Sequence, residues 1–222
     1  MSSPLRVGET LPDGWSRYSH TLGGYRVNYS VREASLSVFA WHNETWMIWT
    51  DVLPTLLFVY LFLVCEAPVW GVYAAVILSR ACSSLYHIFN CVSARMNRSL
   101  INLDFMGISC MALVSIHNSY VAVLFALCLC VFGSMLVAGR VSSMSQPLLV
   151  LLAVVGGYPL LDNGWCVVAG LGFAVGYALF VLHIPERYMR EGAADGKIYN
   201  SHVLWHIMAS LAQLALLQST ST

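Results

Sequence analysis

The sequence predicts an all-α membrane protein, a bundle of seven transmembrane helices. Of its 222 residues, 58% are hydrophobic and 10% are charged, far from the usual balance of a soluble domain. A membrane-spanning helix needs about 20 apolar residues, and seven apolar segments follow residue 45. The formal net charge is zero, and without a basic cluster the chain is not expected to bind nucleic acid.

The first domain, residues 1–45, is predicted to be a cytoplasmic N-terminal tail. It has no continuous apolar run, so we expect no signal peptide. Ser30 and Glu33 have the spacing of a capping box, which predicts a short amphipathic helix along the membrane surface; the alternative is an irregular tail that abuts the bundle. Trp41, Trp46 and Trp49 form the aromatic belt expected where a helix enters the headgroup region.

The second domain, residues 46–222, is the predicted bundle. Its apolar segments are 46–65, 68–91, 101–117, 119–139, 146–161, 164–183 and 199–218. The fifth is short and interrupted by Gly156, Gly157 and Pro159, whereas three glycines between 170 and 176 let the sixth approach its neighbours closely. The seven cysteines form no CxxC pair and are interpreted as small buried residues, not as a disulfide framework.

The basic residues predict the orientation of the bundle. Ten of the eleven Lys and Arg residues lie in the tail or in the loops after segments two, four and six, and the eleventh, Arg80, lies within segment two. By the positive-inside rule, the N-terminus is cytoplasmic and the C-terminus is outside or lumenal. Asn28, Asn43 and Asn97 are N-glycosylation sequons on the predicted cytoplasmic side, so we expect no glycan on them.

Five polar residues lie at a similar predicted depth inside the apolar segments. Ser83 and His87 are one turn apart near the end of segment two, His202 and His206 are one turn apart at the start of segment seven, and Asp104 begins segment three. The i, i+4 spacing puts each pair on one helix face. Such residues are costly in an apolar helix unless they face one another or a metal.

Three histidines from two helices can supply the protein ligands of a catalytic-type zinc site, with water in the fourth position. A carboxylate nearby would orient or deprotonate that water. The pattern does not separate zinc from other metals that bind imidazole, and separate hydrogen-bonded histidines are the alternative. Cys91, one turn from His87, is a further candidate ligand, although cysteine in an apolar helix is usually a packing residue.

Other polar residues in the segments allow several roles. Arg80 can line a cavity or pair with an acid, and Asp51 can pair with a basic group or orient a ligand. Glu66, His117 and His183 are expected at the membrane interfaces, and Asp162 in a loop.

Several motifs resemble those of the progestin and adipoQ receptor (PAQR) family, which is related to alkaline ceramidases within a superfamily of membrane hydrolases. The motifs are GYR at 24–26, FAWHNET at 39–45, IWT at 48–50, Ser83-x-x-x-His87, LDFMGI at 103–108, IPER at 184–187 and SHVLWH at 201–206. They keep the family's order and spacing and span nearly the whole chain. The chain departs from the family at Asp51, where the family usually has histidine.

The resemblance implies a seven-helix bundle with a lipid cavity and a zinc ion (Zn²⁺) held by His87, His202 and His206. It also implies that Asp104 is the hydrogen-bond partner of a water at the metal and that Ser83 assists at the metal or the substrate. Members of the family act as hormone or lipid receptors, and some are similar to ceramidases.

Three functional hypotheses follow. The first is a zinc-dependent membrane amidase acting on a lipid such as ceramide, with possible receptor-like signalling; the second is a non-enzymatic receptor for a lipid or steroid, with a structural zinc. The third is a metal or proton transporter using the same polar cluster. The sequence predicts a multi-pass membrane location without separating the plasma membrane from the Golgi or endoplasmic reticulum, and it identifies no protein partner.

Overall fold

A computed structural model describes residues 20–64, 70–114 and 164–219, together with Pro4, Thr10, Leu11, Pro12 and Trp15. These residues form α1 (Val31–Ser37), α2 (Thr45–Val64), α3 (Trp70–Phe89), α4 (Ala94–Val114), α5 (Gly164–Val181), a 3-10 turn (Glu186–Tyr188) and α6 (Ser201–Ser219). No strand occurs in the described ranges, which confirms the all-α prediction for them. Predicted segments four and five lie outside the described residues, as do Glu66, His117 and Asp162.

Three described stretches are long and apolar enough to cross a membrane: Thr45–Val64, Trp70–Phe89 and Gly164–Tyr188. Their surfaces are apolar, since Leu63 on α2 is 74% exposed and Leu171 on α5 is 61% exposed. Large aliphatic side chains exposed along whole helices suit a lipid environment better than water. The count of seven spans and the orientation of the termini stay predictions.

Most helix boundaries agree with the predicted segments, but α4 begins at Ala94 and not at 101. The hydropathy of the sequence marks only the apolar part of this helix. Its first two turns are polar, and the Ser93 hydroxyl accepts a hydrogen bond of 3.1 Å from the backbone N–H of Met96. This cap starts the helix before its apolar stretch.

The helices pack in a continuous order: α4 contacts α3, α3 contacts α2, α2 contacts α6, and α6 contacts α5. Glycines allow the close approaches. A Cβ at Gly107 would lie 2.9 Å from the Ser79 Cα, and a Cβ at Gly176 would lie 2.7 Å from the Met208 Cβ. The close packing expected of segment six is therefore confirmed at Gly176, whereas Gly170 faces open space.

The tail contains the predicted helix. In α1, the Ser30 hydroxyl accepts from the Glu33 N–H at 3.2 Å, and the Glu33 carboxylate accepts from the Ser30 N–H at 3.0 Å. The capping box is confirmed, and an irregular chain is wrong for Val31–Ser37. Because α1 packs against α3, this part of the tail belongs to the folded structure.

Candidate metal centre

Three histidine side chains converge between α3 and α6. His87 lies in the last turn of α3, and His202 and His206 lie in the first two turns of α6. The ring centroids of His87 and His202 are 5.2 Å apart, those of His87 and His206 are 4.8 Å apart, and those of His202 and His206 are 4.9 Å apart. One ligand atom from each ring lies within 4.8 Å of the others, so the three can hold one metal ion.

Glu44 contacts His87 directly. Its Oε2 lies 2.7 Å from His87 Nδ1, and both side chains are buried. Burial alone would raise the pKa of Glu44, but the hydrogen bond and charge of His87 and the charge of Arg26 lower it to about 2. The ionised carboxylate therefore favours the tautomer of His87 with a proton on Nδ1, and the lone pair is on Nε2.

A metal fits the remaining nitrogen of His87. His87 is completely buried, and its Nε2 has no hydrogen-bond partner among the described residues. A buried polar atom without a partner costs about 1–3 kcal/mol. Because Nε2 belongs to the converging group, a bound cation would satisfy it.

A second carboxylate, Asp51, lies beside His206. Asp51 Oδ2 is 3.2 Å from His206 Nδ1, and Asp51 Oδ1 accepts a hydrogen bond of 2.7 Å from Arg80 Nη1. Arg80 also donates from Nε to Gln213 at 2.6 Å. Of the alternatives for Arg80 and Asp51, pairing with each other is confirmed.

Asp104 and Ser83 lie on neighbouring helices close to the cluster. Asp104 on α4 is buried and interacts electrostatically with His87 and with the Ser83 side chain on α3. Its Oδ1 has no hydrogen-bond partner in the described part of the chain. Asp104 is not one of the converging ligands, so its position suits a group that contacts a water or substrate at the metal. The catalytic roles of Asp104 and Ser83 stay predictions.

Two buried charged residues fix the ends of the helices that carry the histidines. The Glu186 carboxylate accepts a hydrogen bond of 2.7 Å from the Ser201 N–H at the start of α6. At the end of α3, Arg26 donates to the carbonyl oxygens of His87 and Ile88 at 2.6 and 3.1 Å. These contacts give a structural reason for the IPER and GYR motifs.

The sequence reading missed Glu44, although the HNET motif contains it. The available signal is a carboxylate at the entry of an apolar helix. Cys91 is not a member of the described ligand group; it is buried, and its thiol donates to the Ile88 carbonyl, in agreement with a packing role. His183 makes an edge-on ring contact with His20.

Comparison with known proteins identifies relatives along most of the chain. A family model described as Haemolysin-III related matches residues 39–217. Heptahelical transmembrane protein 1 of Arabidopsis thaliana is 30% identical over 124 residues, which are 47% of this chain and 37% of that protein. Heptahelical transmembrane protein 3 of the same plant is 22% identical over 289 aligned positions, covering 93% of this chain and 83% of that protein.

A third relative is similar over a shorter region. Heptahelical transmembrane protein ADIPOR1 of Oryza sativa subsp. japonica is 44% identical over 48 residues, or 22% of this chain and 13% of that protein. This match, and that to heptahelical transmembrane protein 1, therefore cover well under two thirds of the relative's length.

Proposed function

Because the chain belongs to the Haemolysin-III related family, which includes the PAQR proteins, we propose that it is a zinc-dependent hydrolase of a lipid amide of the ceramide type. The chain is an integral membrane protein. The observation that carries the proposal is the composition of the cluster. Among the described residues it contains three histidine ligands and not four, and it lies beside Asp104, a buried carboxylate with an unpartnered oxygen. Three protein ligands with an open position are typical of catalytic zinc sites, whereas structural sites are closed by four.

In this proposal, His87, His202 and His206 hold the ion. When bound, zinc would lower the pKa of a water in the fourth position towards about 7 and polarise an amide carbonyl. Three imidazoles also suit other metals, and the choice of zinc rests on the resemblance to the PAQR family.

The proton transfers are assigned to Asp104. Its free Oδ1 accepts a proton as the oxygen of the attacking water bonds to the amide carbon. Asp104 then gives that proton to the amide nitrogen as the C–N bond breaks, which yields a fatty acid and an amine. Ser83, whose side chain interacts with the Asp104 carboxylate, would hold that carboxylate in place.

A lipid substrate follows from the location of the cluster. The histidines lie among helices whose outer surfaces are apolar, so an acyl chain can reach them by lying between helices. Ceramide-like lipids present one amide bond and two long chains, which matches a polar centre among apolar helices. The alternative function is a receptor with a structural zinc. For such a receptor we expect a steroid or another lipid that binds without turnover.

The proposal is tested on the detergent-purified full chain by metal content and by release of fatty acid from a ceramide. We expect about one zinc per chain in the wild type and its loss in the His202→Ala/His206→Ala variant. Asp104→Asn should keep the zinc and lose most of the turnover, because general acid–base groups typically contribute 10²–10⁴-fold.

The matched control for Asp104→Asn is Ser109→Ala on the same helix. Ser109 is buried and donates to the Phe105 carbonyl, so this variant also removes a buried polar group from α4. A wild type with zinc but without turnover of any lipid amide would favour the receptor with a structural metal. A folded wild type without metal would refute the zinc hydrolase.

A further inference from the structure

A second layer of buried polar side chains lies next to the histidine cluster. It consists of Asp51 on α2, Arg80 on α3 and Gln213 on α6, joined by the two hydrogen bonds of the guanidinium. All three side chains are buried. Arg80 also donates from Nη2 to the backbone carbonyl of His206 at 3.3 Å, so the layer is in contact with the histidine helix.

The same sequence spacing connects this layer to the histidine layer on all three helices. Seven residues correspond to about two turns and roughly 10 Å along a helix, and they return to the same face. The pairs with this spacing are Glu44 and Asp51, Arg80 and His87, and His206 and Gln213. The pair at α2, with Glu44 directly before the first residue of the helix and Asp51 within it, thus consists of two carboxylates, one in each layer, although α2 carries none of the three histidines.

The contact of Glu44 fixes one of the three imidazoles. A carboxylate 2.7 Å from His87 Nδ1 holds the proton on that nitrogen and leaves Nε2 as the only possible ligand atom. Glu44 has no ion pair with Lys or Arg among the described residues. The imidazole of His87 is therefore the partner of this carboxylate at ion-pair distance.

The contact of Asp51 concerns a second imidazole. Asp51 Oδ2 and His206 Nδ1 are 3.2 Å apart, and neither atom has a hydrogen-bond partner elsewhere in the described part of the chain. The other oxygen of Asp51 is held by Arg80, which fixes the orientation of the carboxylate. With Nδ1 facing Asp51, His206 also has Nε2 as its free nitrogen.

We propose that Glu44 and Asp51 are positioning residues, which hold His87 and His206 with their Nε2 atoms towards a metal. The inference rests on the proposed function in one respect, that the histidines bind a metal. It adds that α2 and the residue directly before it orient two of the three ligands and that Arg80 supports this orientation through Asp51. Outer carboxylates of this kind typically change metal affinity by about 10–100-fold.

The test measures the zinc affinity of the purified full chain by competition with a chelator of known affinity. Glu44→Gln keeps the shape of the side chain and removes its charge, and we expect it to weaken zinc binding about 10–100-fold. Asp51→Asn/Arg80→Gln removes both charges of the second layer, so no buried guanidinium is left unpaired; we expect a loss in the same range.

The matched control is Thr55→Val, one turn after Asp51 on α2. Thr55 donates to the backbone carbonyl of Asp51 at 2.8 Å, so this variant disturbs the helix without touching the carboxylate. We expect its zinc affinity to equal that of the wild type. The visible spectrum of the cobalt-substituted protein should change in Glu44→Gln and not in Thr55→Val, because it reports the ligand field of the metal.

The outcomes separate the inference from the proposed function. A wild type that binds no zinc overturns both. A wild type that binds zinc, with unchanged affinity in Glu44→Gln and in the Asp51 double variant, overturns the inference alone. A lower melting temperature of metal-free Glu44→Gln with unchanged affinity would show a merely structural role and would also overturn it; if that variant does not fold, the Asp51 double variant decides by the same affinity criterion.

Discussion

Replacing Arg26 with methionine removes the guanidinium that joins the tail to the end of α3. Arg26 is only 3% exposed. Its Nη2 donates to the His87 carbonyl at 2.6 Å, and its Nη1 donates to Ser37 Oγ at 2.6 Å and to the Ile88 carbonyl at 3.1 Å. Methionine keeps much of the length of the side chain and its apolar packing but has no donor.

The magnitude follows from the two shortest bonds. A hydrogen bond to a charged group contributes about 1.5–3 kcal/mol net, so the loss of two lowers the free energy of unfolding by about 3–6 kcal/mol. Arg26→Lys keeps the charge but not the planar fork that reaches several acceptors at once. We therefore expect the lysine variant to lose roughly half as much.

Thermal unfolding of the detergent-purified protein measures the effect, with Arg32→Met as the control. Arg32 is exposed on α1, and substitutions at such surface positions usually change stability by less than about 0.5 kcal/mol. Because Arg26 holds the carbonyl of a histidine in the cluster, Arg26→Met should also weaken zinc binding. Equal melting temperatures for the two methionine variants would refute the conclusion that the tail fixes the end of α3.

Two further predictions concern other buried groups. Glu186→Gln weakens the charge-assisted cap on the Ser201 N–H, so the unfolding free energy should fall by about 1–3 kcal/mol. The same change at Glu33, whose capping hydrogen bonds are exposed to solvent, should cost less in the same melting assay. His42 gives a pH dependence, because burial and the charge of Arg26 lower its pKa to about 4. Folding then favours the neutral imidazole of His42. Its contribution to the free energy of unfolding is fully present above pH 6.5 and is lost as the pH falls towards 4, by about 3 kcal/mol in total. The melting temperature should depend less steeply on pH in His42→Asn than in the wild type over that range. Equal pH dependence in the two proteins would contradict the assignment.

The histidine cluster could be predicted from the sequence because its members have helical spacing and lie inside apolar segments, where polar residues stand out. Glu44 and Arg26 could not be found in this way. Both lie in a stretch whose composition is that of an exposed tail, and their burial depends on how the tail packs against α3. Hydropathy likewise misplaced the start of α4, because a serine cap and two polar turns carry no apolar signal.

The seven-residue spacing between the paired polar residues is visible in the sequence but has no meaning there by itself. One such pair on a single helix is uninformative, since many residues are seven apart by chance. Its meaning comes from the antiparallel order of α2 and α3, which brings Glu44 to the level of His87 and Asp51 to the level of Arg80. The observed contacts between these pairs therefore depend on tertiary structure, although each spacing is visible in the sequence.

The distribution of buried charge is the strongest physical reason for a divalent cation at the cluster. Asp51 is balanced by Arg80, but Glu44 and Asp104 are buried carboxylates without an ion pair to Lys or Arg in the described part of the chain. Buried carboxylates without a counter-charge are costly, and histidines that bind a metal are neutral and do not balance them. A divalent cation on the three histidines would place two positive charges beside these two carboxylates, so the surrounding charges favour the group that the histidines can bind.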